Sequence, residues 1–589
     1  MGDSESQNLL TLCIRGLLAT FLTAVLSMVM CLAIYPVSTA SAENAYYTTE
    51  FYSKNLWTKY ADTSWYTSNT AADSYTITTA EQLAGLAKLV VMKHVDFQGK
   101  TINLGADINL KGHQWFPIGC DEDNYWQNSP FKGTFDGHNH TISNLYIKNA
   151  WHHQALFGKV YDATLKNFIV KGSVTTGWNA AGVVSESERS TLSNITNYAN
   201  VTTLFKSGDS GYSSTAGGIV SYVVDTYVGE DGANPSVLSN LRNYGTVECA
   251  GITEQGGGVG GIAGSLIAAD DSKTIQVTQC ENYGTVHVLS SNYTDIYMKG
   301  AGGIVGSTAT YGNYDISDCS NTGAVSSDNL ASTGGIVGSI SGINSSVKYC
   351  YNAGNVNGAS PEAVSASGGI VGRSVAAHTG STVLSVVSCY NTGTVTGRGA
   401  NVSAILGATS GYGEDWDSSD AGTTVVNDSN YYVEGSAVRS SKSGTLFQQG
   451  TVDNAQSVSA DQMNSEQVIK NLNATDETMD HFAQGKVSPV LELKAGSDTG
   501  VDKSSEEGSG TDETTQLDED DTAQQKETHM YAVSEDQSSD ALQDAPVNLV
   551  LVIMLVALAV VVFGSVAMQL GYFKQQRRRL KAVPSPREG

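Results

Sequence analysis

The chain has 589 residues and carries 59 acidic against 33 basic side chains, a formal net charge of −26. That balance excludes a nucleic-acid binder, which needs a basic face to meet phosphate. Glycine is abundant at 62 and proline scarce at 9, which suits short strands joined by tight turns.

Near the N-terminus Arg15 precedes an apolar run from Leu17 to Ile34, Pro36 breaks it, and Ala40-Ser41-Ala42 supplies small residues. This pattern predicts a secretory signal over 1–42, cleaved after Ala42, followed by an N-terminal extension over 43–74. Thr78-Thr79-Ala80-Glu81 has the form of a capping box. Leu83, Leu86, Ala87 and Val90 then recur at helical spacing, so Thr79 to Met92 is expected to form an amphipathic helix closing one end of the next domain. Strand-like runs follow at Thr101–Leu104, Asp107–Leu110 and Thr141–Leu145. Among them lies a dense group of ionisable residues: Asp107, Asp121, Glu122, Asp123, Asp136, His138, His140, His152 and His153. Paired carboxylates beside histidines suit acid/base work on a polysaccharide. Asp136-Gly137 also reads as a turn and Asp121 to Asn124 as a surface loop, and those roles explain the residues without catalysis. The carboxylates lack the spacing of an EF-hand.

From residue 182 onward two units alternate. One is Gly-apolar-apolar-Gly, as in Gly261-Ile262-Ala263-Gly264, Gly303-Ile304-Val305-Gly306, Gly335-Ile336-Val337-Gly338 and Gly369-Ile370-Val371-Gly372. The other is Asn-x-Gly-x-Val, starting at Asn243, Asn282, Asn321, Asn352 and Asn391, with Asn197 opening a copy that has Ala199 in the glycine slot. Successive copies lie 31 to 46 residues apart, a repeat-architecture period. The apolar runs read as strands, and Asn-x-Gly as a turn because both residues tolerate positive φ. Each repeat then supplies three short strands and two corners, one coil of a solenoid whose apolar face is buried only by stacking. The predicted fold over 75–495 is all-β, a right-handed parallel β-helix of about ten coils with a helical N-terminal cap. A short helix over Met463–Leu472 and a strand over Pro489–Leu493 are expected at its far end.

Cys280, Cys319, Cys350 and Cys389 each stand two residues before the repeat Asn, in a slot that holds Ile195 and Leu241 earlier. A slot shared with Ile and Leu faces the core. The four form either a ladder of buried thiols or disulfides between adjacent coils, since stacked Cα atoms fall in bridging range. A line of four ligands does not make a metal tetrahedron. Tyr244, Tyr283, Tyr351 and Tyr390 flank the repeat Asn, on the outside of the coils, as ligand-binding candidates or as a stabilising ladder. The loops Asp225 to Pro235 and Ser290 to Lys299 are candidate specificity elements.

Beyond the repeats, 15 acidic residues stand against two lysines between Asp498 and Asp544. A stretch so charged and so poor in apolar residues reads as a disordered stalk over 496–545. Val547 to Leu570 is an uncharged apolar run of about 36 Å as a helix, long enough to cross a bilayer. A transmembrane helix is therefore expected over 546–573. Lys574, Arg577, Arg578, Arg579 and Lys581 follow, which predicts a cytoplasmic tail over 574–589 and an extracellular N-terminal portion.

The interleaved Gly-Gly-Ile-Val-Gly and Asn-x-Gly-x-Val copies, opened by Ile77 to Leu89, Leu104 to Leu110 and Phe131 to Gly137, resemble the GLUG-motif repeat of bacterial surface and secreted proteins. The resemblance spans roughly Tyr75 to Leu493. It implies a surface or secreted protein, adhesin-like; with the anchor and the stalk, the expectation is a single-pass, membrane-anchored cell-surface protein that binds host or neighbouring-cell ligands, an extracellular glycan or protein, with no cofactor. GLUG repeats also stand beside the catalytic domain of some immunoglobulin A metallopeptidases, but no histidine here is followed by Glu, so His-Glu-x-x-His is missing. The expected function is non-enzymatic binding. A polysaccharide-active β-helix enzyme and a purely structural envelope protein are the alternatives.

Overall fold

The computed structural model describes residues 56–492, apart from 121–127, 149–152, 205–213, 226–234, 251–256, 269–270, 290–298, 329–331, 360–365, 378–381, 398–400, 411–422, 440–454 and 477. The signal sequence, the stalk, the apolar C-terminal run and the basic tail lie outside the described residues, as do Asp121, Glu122, Asp123, His152 and most of both specificity loops. Among the described residues no helix is long and apolar enough to cross a membrane.

The described chain is mostly β, with few helices. Its strands are short and almost all parallel, and they stack coil on coil into a 25-stranded sheet, an eight-stranded sheet and a seven-stranded sheet. The result is a solenoid of β-helix-like repeats. Register is fixed by apolar columns. In one, Tyr75, Ile102, Phe135, Leu165, Leu192, Leu238, Val277, Ile316, Val347 and Val386 occupy the same rung on successive coils. A second is built from the Val that ends each Asn-x-Gly-x-Val copy: Val201, Val247, Val286, Val325, Val356 and Val395. A one-residue slip would turn every such side chain outward, and each buried aliphatic side chain contributes about 1.5–3 kcal/mol.

From Thr274 to Ser410 each repeat contains five strand segments rather than the expected three, and the two repeats before them, from Thr191 and from Val237, contain four. The run Thr274–Thr278, Glu281–Asn282, Val286–Val288, Lys299–Gly302 and Val305–Thr308 is one coil. The extra breaks have two causes. Gly-Ile-Val-Gly is not a continuous strand: the first Gly and the Ile form a corner, and the strand resumes at the Val. There a Cβ on Gly303 would lie 2.1 Å from the Gly335 carbonyl oxygen, so glycine is required by close approach. The second lies three residues before the repeat Asn: Asn194, Asn240, Gln279, Asp318, Tyr349 and Ser388 all have φ between 50° and 56°, and from Gln279 on the strand is interrupted there.

This corrects the reading of Asn-x-Gly as the left-handed turn. The glycines at 245, 284, 323, 354 and 393 are not in the positive-φ region. They are glycines because a Cβ at any of them would lie 2.0 Å from the carbonyl oxygen of the matching residue one coil earlier. The asparagines point inward. Asn243, Asn282, Asn321 and Asn352 each donate through Nδ2 to the carbonyl two residues on, at 2.8 Å, and to the next coil's asparagine Oδ1, at 2.8–2.9 Å. The result is a continuous amide ladder inside the solenoid.

The N-terminal end is covered by the helix Ala80–Lys93, which buries Leu83, Leu86, Ala87 and Val90. Its cap is one residue later than the sequence pattern suggests. Thr79 accepts from Gln82 N–H at 3.2 Å, while the Gln82 side chain accepts from Thr78 N–H at 2.8 Å. At the other end, two short helices, Ala460–Met463 and Glu466–Asn473, replace the expected single one. Val490–Leu491 pairs antiparallel with Phe482–Ala483 instead of adding a rung to the solenoid.

Candidate functional site

The structure divides the expected N-terminal ionisable cluster. Asp136 accepts from the His138 backbone N–H and from Asn167 Nδ2, both at 3.0 Å, and pairs with Lys166 Nζ at 3.2 Å. Asp107 accepts from the Thr141 N–H at 2.9 Å and pairs with the His140 ring at 3.1 Å. Burial alone would raise the Asp136 pKa, but those hydrogen bonds outweigh it and hold the carboxyl below its usual range. The Thr141 N–H and then His140 lower Asp107 in the same way. Neither carboxylate carries the raised pKa of a general acid, and their hydrogen bonds tie Asp136 to its own corner and Asp107 to the next coil. His153 lies elsewhere, beside Glu186.

A group missed at the sequence level sits on the eight-stranded sheet. Lys159 Nζ is 2.6 Å from Glu186 and 3.6 Å from Glu188, and His153 Nδ1 is 3.5 Å from Glu186. The alternation Ser185-Glu186-Ser187-Glu188 puts both glutamates on one face of the strand Val184–Glu188, and the parallel register sets Lys159 directly opposite Glu186. All four ionisable groups are largely enclosed and engaged with one another. Among the described residues no set of three or more His, Cys, Asp or Glu is placed to hold a metal ion.

Cys280, Cys319, Cys350 and Cys389 occupy one column, fully buried and unbridged. Each thiol donates to the carbonyl two residues earlier, at 3.1–3.4 Å. Burial pushes the Cys280 and Cys350 thiols well above the ordinary range. Burial acts on Cys319 in the same sense, but the hydrogen bonds of Cys280 and Cys350 to it outweigh that and draw it down to about 6. What makes all four unreactive is that none is exposed to a reagent. Alkylation of the folded protein with iodoacetamide at pH 8 is therefore expected to leave all four unmodified, and alkylation in urea to label them. Mass spectrometry distinguishes the two, and rapid labelling of native protein would rule out the sealed column.

The four tyrosine candidates fall into two adjacent columns with different fates. Tyr244 and Tyr283 follow the repeat Asn. With Tyr198 they form an outward stack, ring centroids 4.7 and 4.5 Å apart and planes within 8°, each 40–44% exposed. Lys171 Nζ closes one end, 5.3 Å over the Tyr198 ring. Beside the stack, Arg242 pairs with Glu281 at 2.6 Å, and the Tyr283 hydroxyl donates to Glu281 at 3.0 Å. Burial and then the Glu281 charge raise the Tyr283 pKa, so its hydroxyl stays protonated and able to donate.

Tyr351 and Tyr390 precede the Asn, and their rings stack at 5.0 Å. Tyr390 was expected outside but is 0% exposed. It is covered by the chain's own C-terminal segment: Phe482 packs edge-on to its ring, and its hydroxyl donates to the Pro489 carbonyl. The same segment bonds Tyr431 through Asn471 Nδ2 at 2.6 Å and stacks His481 on Tyr349 at 3.5 Å. Met463, Val468, Leu472 and Phe482 form a small core with Tyr390 and Tyr431. A polar cleft of about 560 Å³, lined by Asp428, Tyr431, Gln456 and Asn471 among others, runs along this seam.

No family model matches the chain, and no curated protein matches it. Among solved structures, a crystal structure from Bacteroides ovatus named a "putative immunoglobulin A1 protease" is similar at 18% identity, covering 71% of this chain and 92% of that chain, with a TM-score of 0.37. A likeness of that degree assigns no activity to this chain.

Proposed function

We propose that this chain is a membrane-anchored bacterial cell-surface protein of the GLUG-motif kind, a right-handed β-helix that binds an extracellular polypeptide ligand through the exposed tyrosine stack. The secretory and transmembrane patterns at its two ends support export and anchoring. One observation carries the choice of ligand. The outer face of the coils already docks a polypeptide, the chain's own 455–492 segment, through Tyr349, Tyr351, Tyr390 and Tyr431. Tyr198, Tyr244 and Tyr283 stand on the adjacent column of the same sheet, on earlier coils, and remain 40–44% exposed. Both faces of Tyr244 are spent on its neighbours and Lys171 lies over the outer side of Tyr198, which leaves little ring face for a sugar to stack on. Ring edges, hydroxyls and the Arg242–Glu281 pair remain for an extended peptide, and aromatic and arginine anchors of this kind dominate interface energies.

The test is a binding screen of the full-length protein against extracellular-matrix proteins and glycans, repeated with Tyr244→Ala/Tyr283→Ala. The expected result is saturable binding of a protein ligand, weakened at least about tenfold, or ~1.4 kcal/mol, in the double variant and unchanged in Tyr311→Ala. Binding confined to glycans, or indifferent to the double variant, would refute the reading.

A further inference from the structure

Arg373 lies in the strand Val371–Val375 of the eight-stranded sheet, with Ser339 and Ala408 as its in-register neighbours on the flanking coils. It is 2% exposed, and neither Nε nor Nη2 has a hydrogen-bond partner. No carboxylate among the described residues pairs with it. Burial alone acts on its pKa, bringing it down to about 10, so the group remains a cation at neutral pH. Three other enclosed or half-enclosed cations of the solenoid are matched: Lys159 by Glu186 and Glu188, Arg189 by Asp162, and Arg242 by Glu281. An enclosed charge without a counter-charge is strongly unfavourable, and Arg373 is the exception to the pattern around it.

The two unpaired donors share one edge of the guanidinium. Nε–H and Nη2–H point side by side and match two oxygens of one anion, the geometry that makes arginine the residue for bidentate carboxylate and sulfate recognition. Ser339 stands one rung away on the same face of the sheet, a hydroxyl donor for a further oxygen. We propose that Arg373 is a binding site for a small oxyanion, a carboxylate or sulfate, held side-on through Nε–H and Nη2–H.

The experiment is thermal melting of the full-length protein at constant ionic strength, with chloride replaced stepwise by acetate or by sulfate, in wild type, Arg373→Met and Arg373→Lys. Wild type is expected to show a saturable rise in Tm of several degrees. Arg373→Met should lose the saturable component and, in anion-poor buffer, melt above wild type, because an uncompensated buried charge has been removed. Arg373→Lys keeps the charge without the paired edge, so its response should need roughly tenfold more anion; it decides the matter if the Met variant does not fold. The same anion response in wild type and both variants overturns the proposal. So does a wild type that responds to neither anion.

Discussion

Asn321→Ala is expected to lower the stability of the solenoid by about 3–5 kcal/mol. The Asn321 side chain is fully buried and makes three amide hydrogen bonds: to the Gly323 carbonyl and to Asn352 Oδ1, each at 2.8 Å, and from Asn282 Nδ2 at 2.8 Å. Truncation leaves the Asn352 oxygen and one Asn282 N–H without those partners, and each unsatisfied buried group costs about 1–3 kcal/mol. The same change also opens a cavity beside Gly303, whose Cα faces the Asn321 amide. Urea unfolding measures the loss. The matched control is Asn357→Ala, an exposed asparagine that accepts only from Thr396 at 2.9 Å, and it should change stability by no more than about 0.5 kcal/mol. Because repeat arrays couple mainly to their neighbours, hydrogen exchange should quicken around Asn282 and Asn352 but not in the helix Ala80–Lys93. A loss below about 1 kcal/mol would mean that the Val columns alone hold these coils in register and that the amide ladder is incidental.

The stacking of coils was legible because every coil makes the same demand at the same place. Val286, Val325 and Val356 recur where an apolar inner rung recurs, and Cys280 substitutes for Leu241 because a small buried residue fits the same slot. The backbone inside each coil was harder to read. The left-handed corner falls on Asn194, Asn240 and Asp318, which tolerate it, but equally on Gln279, Tyr349 and Ser388, which have no such preference. The conformation is imposed by the coils above and below rather than by local preference, so no motif marks it. Asn-x-Gly was conspicuous for a different reason than φ: its Asn supplies the buried ladder and its Gly admits the carbonyl of the coil before. The outer face was legible only where nothing covers it. Tyr244 and Tyr390 look alike in sequence, yet the partner that buries Tyr390 arrives 99 residues later, at Pro489. The Lys159–Glu186–Glu188 group left a faint signal, two glutamates alternating with serine in one strand. Its lysine is assigned only once the coil register is known.

The segment that covers Tyr390 is held at its far reach by one imidazole, and His481→Ala is expected to release it. His481 Nδ1 lies 2.5 Å from Asp318 and Nε2 3.1 Å from Asp476, with the Tyr349 ring stacked on it. Each ring nitrogen faces one carboxyl group, so the imidazole ties the two acids together. Removing the ring strands Asp318, whose carboxyl burial already pushes upward against the pull of His481. Breaking a mostly enclosed pair costs about 3 kcal/mol, a rise in local opening on the order of 100-fold. Amide exchange should therefore quicken by that factor from Val468 to Leu472 and stay unchanged in the helix Ala80–Lys93; unaltered protection at Val468 to Leu472 would show that the aromatic contacts suffice. The two carboxylates respond to pH in opposite senses. Asp318, raised on folding, adds stability that is present below its ordinary value of 3.8 and lost as pH rises through its folded value. Asp476 is lowered to about 2, chiefly by the Thr478 hydroxyl and N–H and then by His481, so its contribution is in place above 3.8 and lost as pH falls toward 2. Acid release between about pH 4 and 2 thus belongs to Asp476. Asp476→Asn should flatten that limb in a pH series of exchange rates, and the same steep loss in the variant would move the acid sensitivity to another group.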